Sequence, residues 1–208
     1  MSCMKTDDMN DNSPALRESA GRVPRADARR NRERILLAAS EVFANNGVNA
    51  STAEVAEMAG VGIGTVFRHF PTKESLLEAV LVQRLERIAE DAETRAHAGD
   101  TDEAFVGFFT DAVAESSTKI AIADALRSSG IDVMSATSPA ASRLRSAIGA
   151  LLMRAQQAGV IRDDVDVDDI IALLAGLTQA AQLVGQDPAA RNRTLSVVIA
   201  GLRTSAQP

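Results

Sequence analysis

Residues 51–77 read STAEVAEMAGVGIGTVFRHFPTKESLL, and this stretch decides the fold of the first part of the chain. Ser51 and Glu54 have the spacing of a capping box, which predicts that a short helix begins here. Gly60 ends that helix, because glycine readily adopts the positive φ found just after a helix. A second short helix is predicted over residues 63–69, followed by a longer one.

The alternate glycines of this stretch raise the question of whether it is a nucleotide-binding loop. Such a loop needs a buried strand before its glycines, and here an amphipathic helix precedes them. The chain also lacks the sequence G-x-x-x-x-G-K-S/T. Helix, glycine turn and short helix is instead the geometry of a helix-turn-helix, whose second helix enters the major groove of DNA. A plain helical corner would not need exposed basic side chains at Arg68, His69 and Lys73.

The composition favours packed helices over sheets. Of the 208 residues 46% are hydrophobic but only 3% are aromatic, whereas strands are enriched in aromatic residues. The single cysteine, Cys3, excludes a disulfide framework within one chain and suits a reducing cytoplasm. The N-terminus has acidic residues where a signal peptide would have an apolar core. The longest uncharged stretch, residues 170–186, is shorter and more polar than a membrane span, so we expect a cytoplasmic protein without a membrane partner.

Charge is distributed unevenly along the chain, whose net charge is −6. Residues 1–73 hold ten Lys/Arg and nine Asp/Glu, whereas residues 74–208 hold twelve and nineteen. Residues 22–34 alone contain six arginines against two acidic residues. Overall acidity argues against indiscriminate binding of polyanions, but a localised basic end can dock on phosphate. A solvated basic face is the alternative interpretation.

The pattern of hydrophobic residues and helix breakers divides the chain into three predicted parts. Residues 1–26 are polar and lack periodicity, which predicts a disordered basic arm. Residues 27–73 contain three helices, the first of them capped by Asp27, and form a candidate DNA-binding domain. Residues 74–208 form the third part, a candidate ligand-binding and dimerisation domain. The further helices are predicted over residues 73–94, 102–117, 119–127, 138–158, 167–184 and 189–203. About nine helices and no convincing strand are therefore predicted, since the alternating residues 160–167 are too few and too acidic to assign.

Two stretches carry a family resemblance. Residues 52–77, TAEVAEMAGVGIGTVFRHFPTKESLL, resemble the DNA-binding signature of the tetracycline-repressor (TetR) family. Residues 32–47, RERILLAASEVFANNG, are similar to that family's first helix. The resemblance implies an all-α fold with an N-terminal three-helix helix-turn-helix domain. It also implies a C-terminal helical domain for ligand binding and dimerisation, and the function of a transcriptional regulator.

The same resemblance implies which residues contact DNA. These are Thr52, Ala53, Ile63, Gly64, Thr65, Phe67, Arg68, His69 and Lys73. Thr52 is implied to cap the second helix and to contact a phosphate, and Lys73 to reach a backbone phosphate at the start of the fourth helix. Arg68 suits either a guanine or a phosphate. Phe67 and Gly62 depart from the family, which usually has Tyr and Ser at these positions.

The basic arm gains a possible role from this resemblance. Arg22, Arg25, Arg29 and Arg30 precede or open the first helix, where a flexible segment can follow a phosphate backbone or enter the minor groove. A solubilising tail is the alternative.

A dimer and an effector are also expected. One recognition helix reads too few base pairs, so a homodimer on a palindromic operator of double-stranded DNA is expected. The implied dimer surface, with monomer core as its alternative, comprises Ile170, Leu173, Leu174, Leu177, Ala181, Val184, Leu195, Val198, Ile199 and Leu202. The candidate ligand-binding residues, with ordinary core packing as their alternative, are Phe105, Phe108, Phe109, Leu126, Ile148, Leu151, Met153, Leu177, Gln179 and Gln182. A mainly apolar small molecule is expected to move the fourth helix and release a repressor from DNA.

Other classes of function find less support in the sequence. The chain has only two histidines and lacks a nucleophile elbow and clustered cysteines, so we predict neither an enzyme nor a cofactor. Residues 163–169, DDVDVDD, lack the glycine and the closing glutamate of a calcium loop. An acidic linker at a helix start is the preferred interpretation, and no metal is predicted. The remaining alternatives are a DNA-binding protein without an effector, and a helical enzyme or scaffold.

Overall fold

The computed structural model describes residues 22–114, 116–183 and 187–204. The helices of this part are α1 Arg22–Asn46, α2 Thr52–Ala59, α3 Ile63–His69, α4 Lys73–Arg95, α5 Thr101–Ala114, α6 Ser116–Ser128, α7 Val133–Gln157, α8 Val167–Leu183 and α9 Pro188–Leu202. The predicted all-α fold is confirmed. None of the described helices is long and apolar enough to cross a lipid bilayer.

The first helix begins earlier than its sequence pattern predicted. α1 starts at Arg22, whereas the predicted cap was Asp27. The side chain of Asp27 forms an ion pair with Arg30 on the next turn instead of capping the helix. Residues 1–21, most of the predicted arm, lie outside the described residues.

The start of α7 shows how a local cap sets a helix boundary. The predicted start was residue 138, but the helix begins at Val133. The Asp132 carboxylate accepts hydrogen bonds from the backbone N–H groups of Met134 (3.1 Å) and Ser135 (3.3 Å). Such a cap satisfies N–H groups that have no partner within the helix. Pro139 consequently lies inside α7.

Buried side chains form two hydrophobic clusters, and the N-terminal one surrounds the helix-turn-helix. It joins α1, α2, α3 and the first half of α4, with Phe43, Val55 and Val66 among its members. Ile122 and Leu126 of α6 belong to the same cluster and are fully buried. α6, from the C-terminal part of the chain, therefore joins the cluster that surrounds the predicted DNA-binding unit.

The C-terminal cluster joins the second half of α4 to α5, α7, α8 and α9. Its members include Ile88, Phe108, Leu151, Ile170 and Ile199. Because α4 contributes to both clusters, it links the helix-turn-helix to the C-terminal helices.

The boundary between the clusters on α4 carries a buried arginine. Arg84 is 8% exposed and lies between Leu81 of the first cluster and Ile88 of the second. Its Nη2 donates a hydrogen bond to the Ser40 carbonyl oxygen of α1 at 3.3 Å. α4 is thus tied to α1 by a polar contact as well as by apolar packing.

The segment between α7 and α8 pairs with the end of α9. Ile161 and Arg203 form an isolated antiparallel bridge. The backbone N–H of Arg162 donates to the Leu202 carbonyl oxygen (3.1 Å), and that of Thr204 donates to the Val160 carbonyl oxygen (3.2 Å). The alternating character of residues 160–167 therefore reflects one short contact and not a sheet.

Candidate DNA-binding interface

The second helix starts with a complete capping box. The Ser51 hydroxyl accepts a hydrogen bond from the Glu54 backbone N–H (3.2 Å), and the Glu54 carboxylate accepts one from the Ser51 backbone N–H (3.0 Å). Asn46, at the end of α1, donates to the same carboxylate at 3.1 Å. The hydrogen bond from the Ser51 backbone, followed by those from Asn46 and the Ser51 side chain, lowers the pKa of Glu54.

The cap of α2 corrects one expectation. Thr52 was implied to cap this helix, but Ser51 occupies the N-cap position and Thr52 is the first helical residue. The hydroxyl of Thr52 is therefore not needed as the cap. It lies half-buried at the helix N-terminus, where backbone N–H groups favour an anion.

The turn after α2 is the one expected from Gly60. This glycine has φ 62° and ψ 40°, in the left-handed region that residues with a side chain rarely adopt. The backbone N–H of Gly60 donates to the Glu57 carbonyl oxygen, and that of Val61 donates to the Ala56 carbonyl oxygen, both at 3.0 Å. These bonds close the end of α2 and direct the chain into α3.

Helix α3 is anchored on one side and exposed on the other. Val66 is fully buried, whereas Ile63 and Phe67 are 42% and 45% exposed. Ile63 and Phe67 are four residues apart and so share one helix face. Gly62 is the N-cap and provides no side-chain hydrogen bond, which is the consequence of the serine missing at this position. A Cβ atom at Gly64 would have no atom within 4 Å, so packing within the chain does not require glycine there.

The start of α4 brings a cation close to the start of α2. The Thr72 hydroxyl accepts a hydrogen bond from the Ser75 backbone N–H (3.1 Å), and the Ser75 hydroxyl accepts one from the Thr72 backbone N–H (3.2 Å). Lys73, the first residue of α4, contributes electrostatically to the lowered pKa of Glu54. Lys73 therefore lies at the N-terminus of α4, and its charge acts on Glu54 in the first turn of α2.

The predicted DNA-contacting residues differ in exposure. The exposed ones are Ala53, Ile63, Gly64, Phe67 and Arg68, and the half-buried ones are Thr52, Thr65, His69 and Lys73. His69 lies toward the side of α3 that packs on the domain. Its ring centroid is 6.4 Å from that of buried Phe70, and it lines a groove together with Arg32 and Ser75.

Comparison with known proteins gives matches over most of the chain. Residues 35–80 match the family described as bacterial regulatory proteins, tetR family. Residues 100–204, about half of the chain, match the C-terminal domain of SbtR-like transcriptional regulators. The chain belongs to the TetR family. TetR proteins are DNA-binding transcriptional regulators and not enzymes, and this chain is accordingly a DNA-binding transcriptional regulator.

Individual relatives of this TetR-family chain differ in the length over which they match it. A TetR regulatory protein from Mycobacterium vanbaalenii is 39% identical, with a TM-score of 0.71, over 87% of this chain and 99% of that one. The regulator SrpR of Pseudomonas putida is 32% identical over 73% of each chain. The regulator UidR of Escherichia coli K12 is 39% identical over 62 residues, so the match spans about a third of UidR.

The candidate ligand-binding residues of the TetR-family C-terminal domain do not all come together. Six are buried in the C-terminal cluster: Phe105, Phe108, Phe109, Ile148, Leu151 and Leu177. Leu126 is instead buried in the N-terminal cluster. Met153 is 57% exposed, and Gln179 also lies on the surface. The side chain of Gln182 lies outside the described residues.

A surface cleft of about 540 Å³ opens between α4 and α5 next to these residues. Ile88, Phe108 and Ala112 contribute its buried apolar lining, and Asp91 and Asp111 lie among its polar residues. Arg95 binds both carboxylates, at 2.8 Å to Asp91 and 2.5 Å to Asp111, so their charges are compensated within the chain. Arg87, Glu90 and Thr94 also line the cleft, so its apolar floor has a polar rim.

The residues implied to form a dimer surface are partly core. Ile170, Leu177, Leu195, Ile199 and Leu202 are buried within the single chain, as in the alternative interpretation. Leu173, Leu174 and Val198 are only half-buried. The side chain of Ala181, and Val184 as a whole, lie outside the described residues.

The acidic run at residues 163–169 is used by the protein itself. The Asp166 carboxylate accepts hydrogen bonds from the backbone N–H groups of Asp168 (2.7 Å) and Asp169 (3.0 Å) at the start of α8. Asp164 pairs with Arg162, and Asp168 pairs with Arg145. Across the described ranges no cluster of His, Cys, Asp or Glu has the arrangement of a metal site. The run therefore acts as a helix start, as its pattern predicted.

Two contacts to the helix-turn-helix were not anticipated from the sequence. Asn46 reaches Glu54, eight residues away, and Arg34 reaches the Ala59 carbonyl oxygen, 25 residues away. No short-range pattern indicates either contact. The Asn46-Gly47 pair only signalled the end of α1.

Proposed function

We propose that this TetR-family regulator is a repressor that binds a palindromic operator as a homodimer and is released by a mainly apolar small molecule. The observation that carries the proposal is the outer face of α3. Ile63 and Phe67 are each more than 40% exposed there, although apolar residues of this size usually pack inside. An exposed apolar pair beside Arg68 suits the floor of a major groove, where thymine methyls and guanine edges lie side by side.

Residues suited to phosphate contacts lie at the starts of the two helices next to α3. Thr52 lies at the N-terminus of α2 and Lys73 at that of α4. Helix N-termini present free N–H groups and a partial positive charge to an anion, and Lys73 adds a full positive charge. We assign these two residues to DNA phosphates, and Ala53, Gly64 and Thr65 to the surface that approaches the bases.

The dimer uses the half-buried and exposed apolar residues of α8 and α9. Val197 is 73% exposed, and it lines a groove with Leu173, Val198 and the small residues Ala172 and Gly201. A large exposed aliphatic side chain next to small residues is suited to close packing of helices from a second copy. Two-fold pairing would present two recognition helices to the two halves of a palindrome.

The effector enters the C-terminal domain and acts on α4. The cleft between α4 and α5 gives access to Ile88 on α4 and to Phe108 on α5. A ligand that binds one position of α4 better than another shifts the equilibrium between them by its difference in affinity. Since α4 also packs in the N-terminal cluster, this shift changes the spacing of the two recognition helices. The regulator acts in the compartment that holds the DNA, which we expect to be the cytoplasm.

Selection from a random double-stranded DNA library tests the central claim. The full chain should enrich a palindromic sequence, and failure to enrich any sequence would contradict operator binding.

Light scattering of the free chain at micromolar concentration should give the mass of a dimer. A chain that is monomeric at this concentration and binds the palindrome as a monomer would contradict the proposed dimer. A thermal-shift screen of apolar compounds, followed by operator release, tests the effector. Operator binding that no stabilising compound reverses would favour the alternative of an effector-independent regulator.

A further inference from the structure

Arg34 of α1 makes a contact with the turn of the helix-turn-helix. Its Nη2 donates hydrogen bonds to the carbonyl oxygens of Ala59 (2.6 Å) and Gly60 (3.4 Å). Ala59 is the last residue of α2, and the last carbonyls of a helix have no partner within it. The guanidinium also places a positive charge at the negative end of the helix dipole. Arg34 thus closes α2 from outside the motif.

The turn is shaped to accept this guanidinium. The backbone N–H groups of Gly60 and Val61 already donate to the carbonyl oxygens of Glu57 and Ala56. Arg34 donates to the next carbonyl oxygens along the turn, those of Ala59 and Gly60. A Cβ atom at Gly60 would lie 2.9 Å from the Arg34 Nη2. Glycine at this position therefore serves the positive φ and also leaves room for the guanidinium.

A second arginine of α1 holds the other end of the motif. The Arg32 Cζ lies 4.9 Å from the ring centroid of Phe70, within the range of a cation–π contact. Phe70 is buried and is the C-cap of α3, with its backbone N–H bonded to the Val66 carbonyl oxygen at 2.8 Å. Arg32 and Arg34 are two residues apart and point about 200° apart around α1. One α1 turn therefore reaches the end of α2 and the end of α3.

We infer that Arg34, assisted by Arg32, is a positioning residue that sets the angle of the recognition helix without touching DNA. This inference rests on the proposed operator binding. The six arginines of residues 22–34 suggested a patch for phosphate, but these two are engaged within the domain. Loss of Arg34 should leave the phosphate contacts in place and misalign α3 against the bases. Specific binding should then fall while non-specific binding persists.

The test compares Arg34→Gln with the unchanged chain on the selected operator and on a scrambled duplex. Glutamine is too short to reach both carbonyls and carries no charge. Since a hydrogen bond from a charged group is at stake, we expect about a tenfold loss of operator affinity. Affinity for the scrambled duplex and the slope of log K against log salt should not change. Arg34→Lys should restore part of the lost specificity, because lysine reaches one carbonyl.

Two control variants calibrate the measurement. Lys73→Gln removes the assigned phosphate contact from each subunit, so it should lower the salt slope of the dimer by about 1.8 and weaken both duplexes. Arg127→Gln removes an exposed arginine of α6 that pairs with Asp124, and should change neither binding nor slope. Thermal unfolding of each variant confirms that it is folded at the assay temperature. If Arg34→Gln is not folded, the same comparison of operator and scrambled-duplex affinity is made between Arg34→Lys and the unchanged chain.

Two results would overturn the inference. A lower salt slope in Arg34→Gln, with both duplexes weakened, would make Arg34 a phosphate contact. If a folded Arg34→Gln chain keeps its operator affinity, the hydrogen bonds of Arg34 contribute to stability and not to DNA recognition. If the unchanged chain selects no DNA sequence at all, the proposed function fails instead, and the two failures are distinguishable.

Discussion

Arg143 of α7 donates two hydrogen bonds to the Glu93 carboxylate of α4, at 3.0 and 2.8 Å. Further along α7, Arg154 donates to the carbonyl oxygens of Arg95 (3.1 Å) and Ala96 (2.9 Å), where α4 ends. α7 therefore holds the C-terminal end of α4 by side-chain charge as well as by packing. Any movement of α4 must either carry α7 with it or break these bonds.

The Glu93 pair makes stability depend on pH in a predictable direction. The hydrogen bond from Arg143 lowers the pKa of Glu93, so the folded state favours the charged carboxylate. Its contribution is present above the unfolded pKa and is lost as the pH falls through the lower folded pKa. The melting temperature of Glu93→Gln should lie below that of the unchanged chain at pH 7, and the difference should shrink toward about pH 3.

Glu57→Gln, which changes an exposed glutamate of α2, is the control for this measurement. A difference for Glu93→Gln that stays constant from pH 7 to pH 3 would show that the pair contributes nothing to the linkage.

Gly64→Ala should separate stability from DNA binding. Gly64 is the second residue of α3, so alanine should stabilise the helix by less than the roughly 0.5–1 kcal/mol of a helix interior, and a Cβ atom here has open space within the chain. The same methyl group would stand on the face that approaches the bases. We expect a higher midpoint of urea unfolding together with weaker operator binding. Gly149→Ala in α7 is the matched control, with unchanged DNA binding; equal operator affinity for both variants would contradict the role of Gly64.

Lys73→Ala should weaken binding without changing the preferred sequence. Removing one phosphate contact from each subunit lowers the salt slope of the dimer by about 1.8 and reduces affinity for all duplexes to a similar extent. Titrations at several salt concentrations measure both quantities, with Arg127→Ala as a control for loss of a surface charge. A shift in sequence preference would place Lys73 at a base and not at the backbone.

Leu126→Ala should destabilise the chain far more than Met153→Ala. Leu126 is fully buried between α6 and the helix-turn-helix, so truncation costs about 2–5 kcal/mol by lost burial and cavity formation. Met153 is mostly exposed, and its truncation should stay within about 0.5 kcal/mol. Urea unfolding measures both free energies. Similar values would mean that α6 does not support the N-terminal cluster.

Val197→Asp should dissociate the proposed dimer. A carboxylate in an apolar helix interface loses its hydration without gaining a partner. Light scattering should give a monomer, and operator affinity should fall because the two half-sites are no longer bound together. Leu37→Asp changes another exposed aliphatic residue, on α1, and should remain dimeric. A dimeric Val197→Asp chain would place the interface elsewhere.

Much of the helix-turn-helix was predictable because its signals are short-range. The Ser51–Glu54 capping box and the helix end at Gly60 depend on residues a few positions apart, and both are confirmed. The starts of α1 and α7 were predicted too late, because local signals alone do not choose among several plausible helix starts. A cap such as Asp132 competes with other plausible starts nearby, and packing decides among them.

The C-terminal part was less predictable because its apolar residues can serve several surfaces. Ile170 and Ile199 have the pattern of a dimer face and are nevertheless buried within the chain. Leu126 has the pattern of a pocket residue but belongs to the N-terminal cluster. Helical periodicity identifies an apolar face and does not say which neighbour will cover it.

The sequence by itself determined the all-α class, the helix-turn-helix and the family, because caps, glycine turns and helical periodicity act over a few residues. The tertiary structure alone decided that α6 supports the DNA-binding unit, that α4 belongs to both clusters, and that Arg34 reaches the end of α2. Each of these depends on contacts between residues far apart in the chain. Such contacts form only when several helices pack together, and no local pattern encodes their partners.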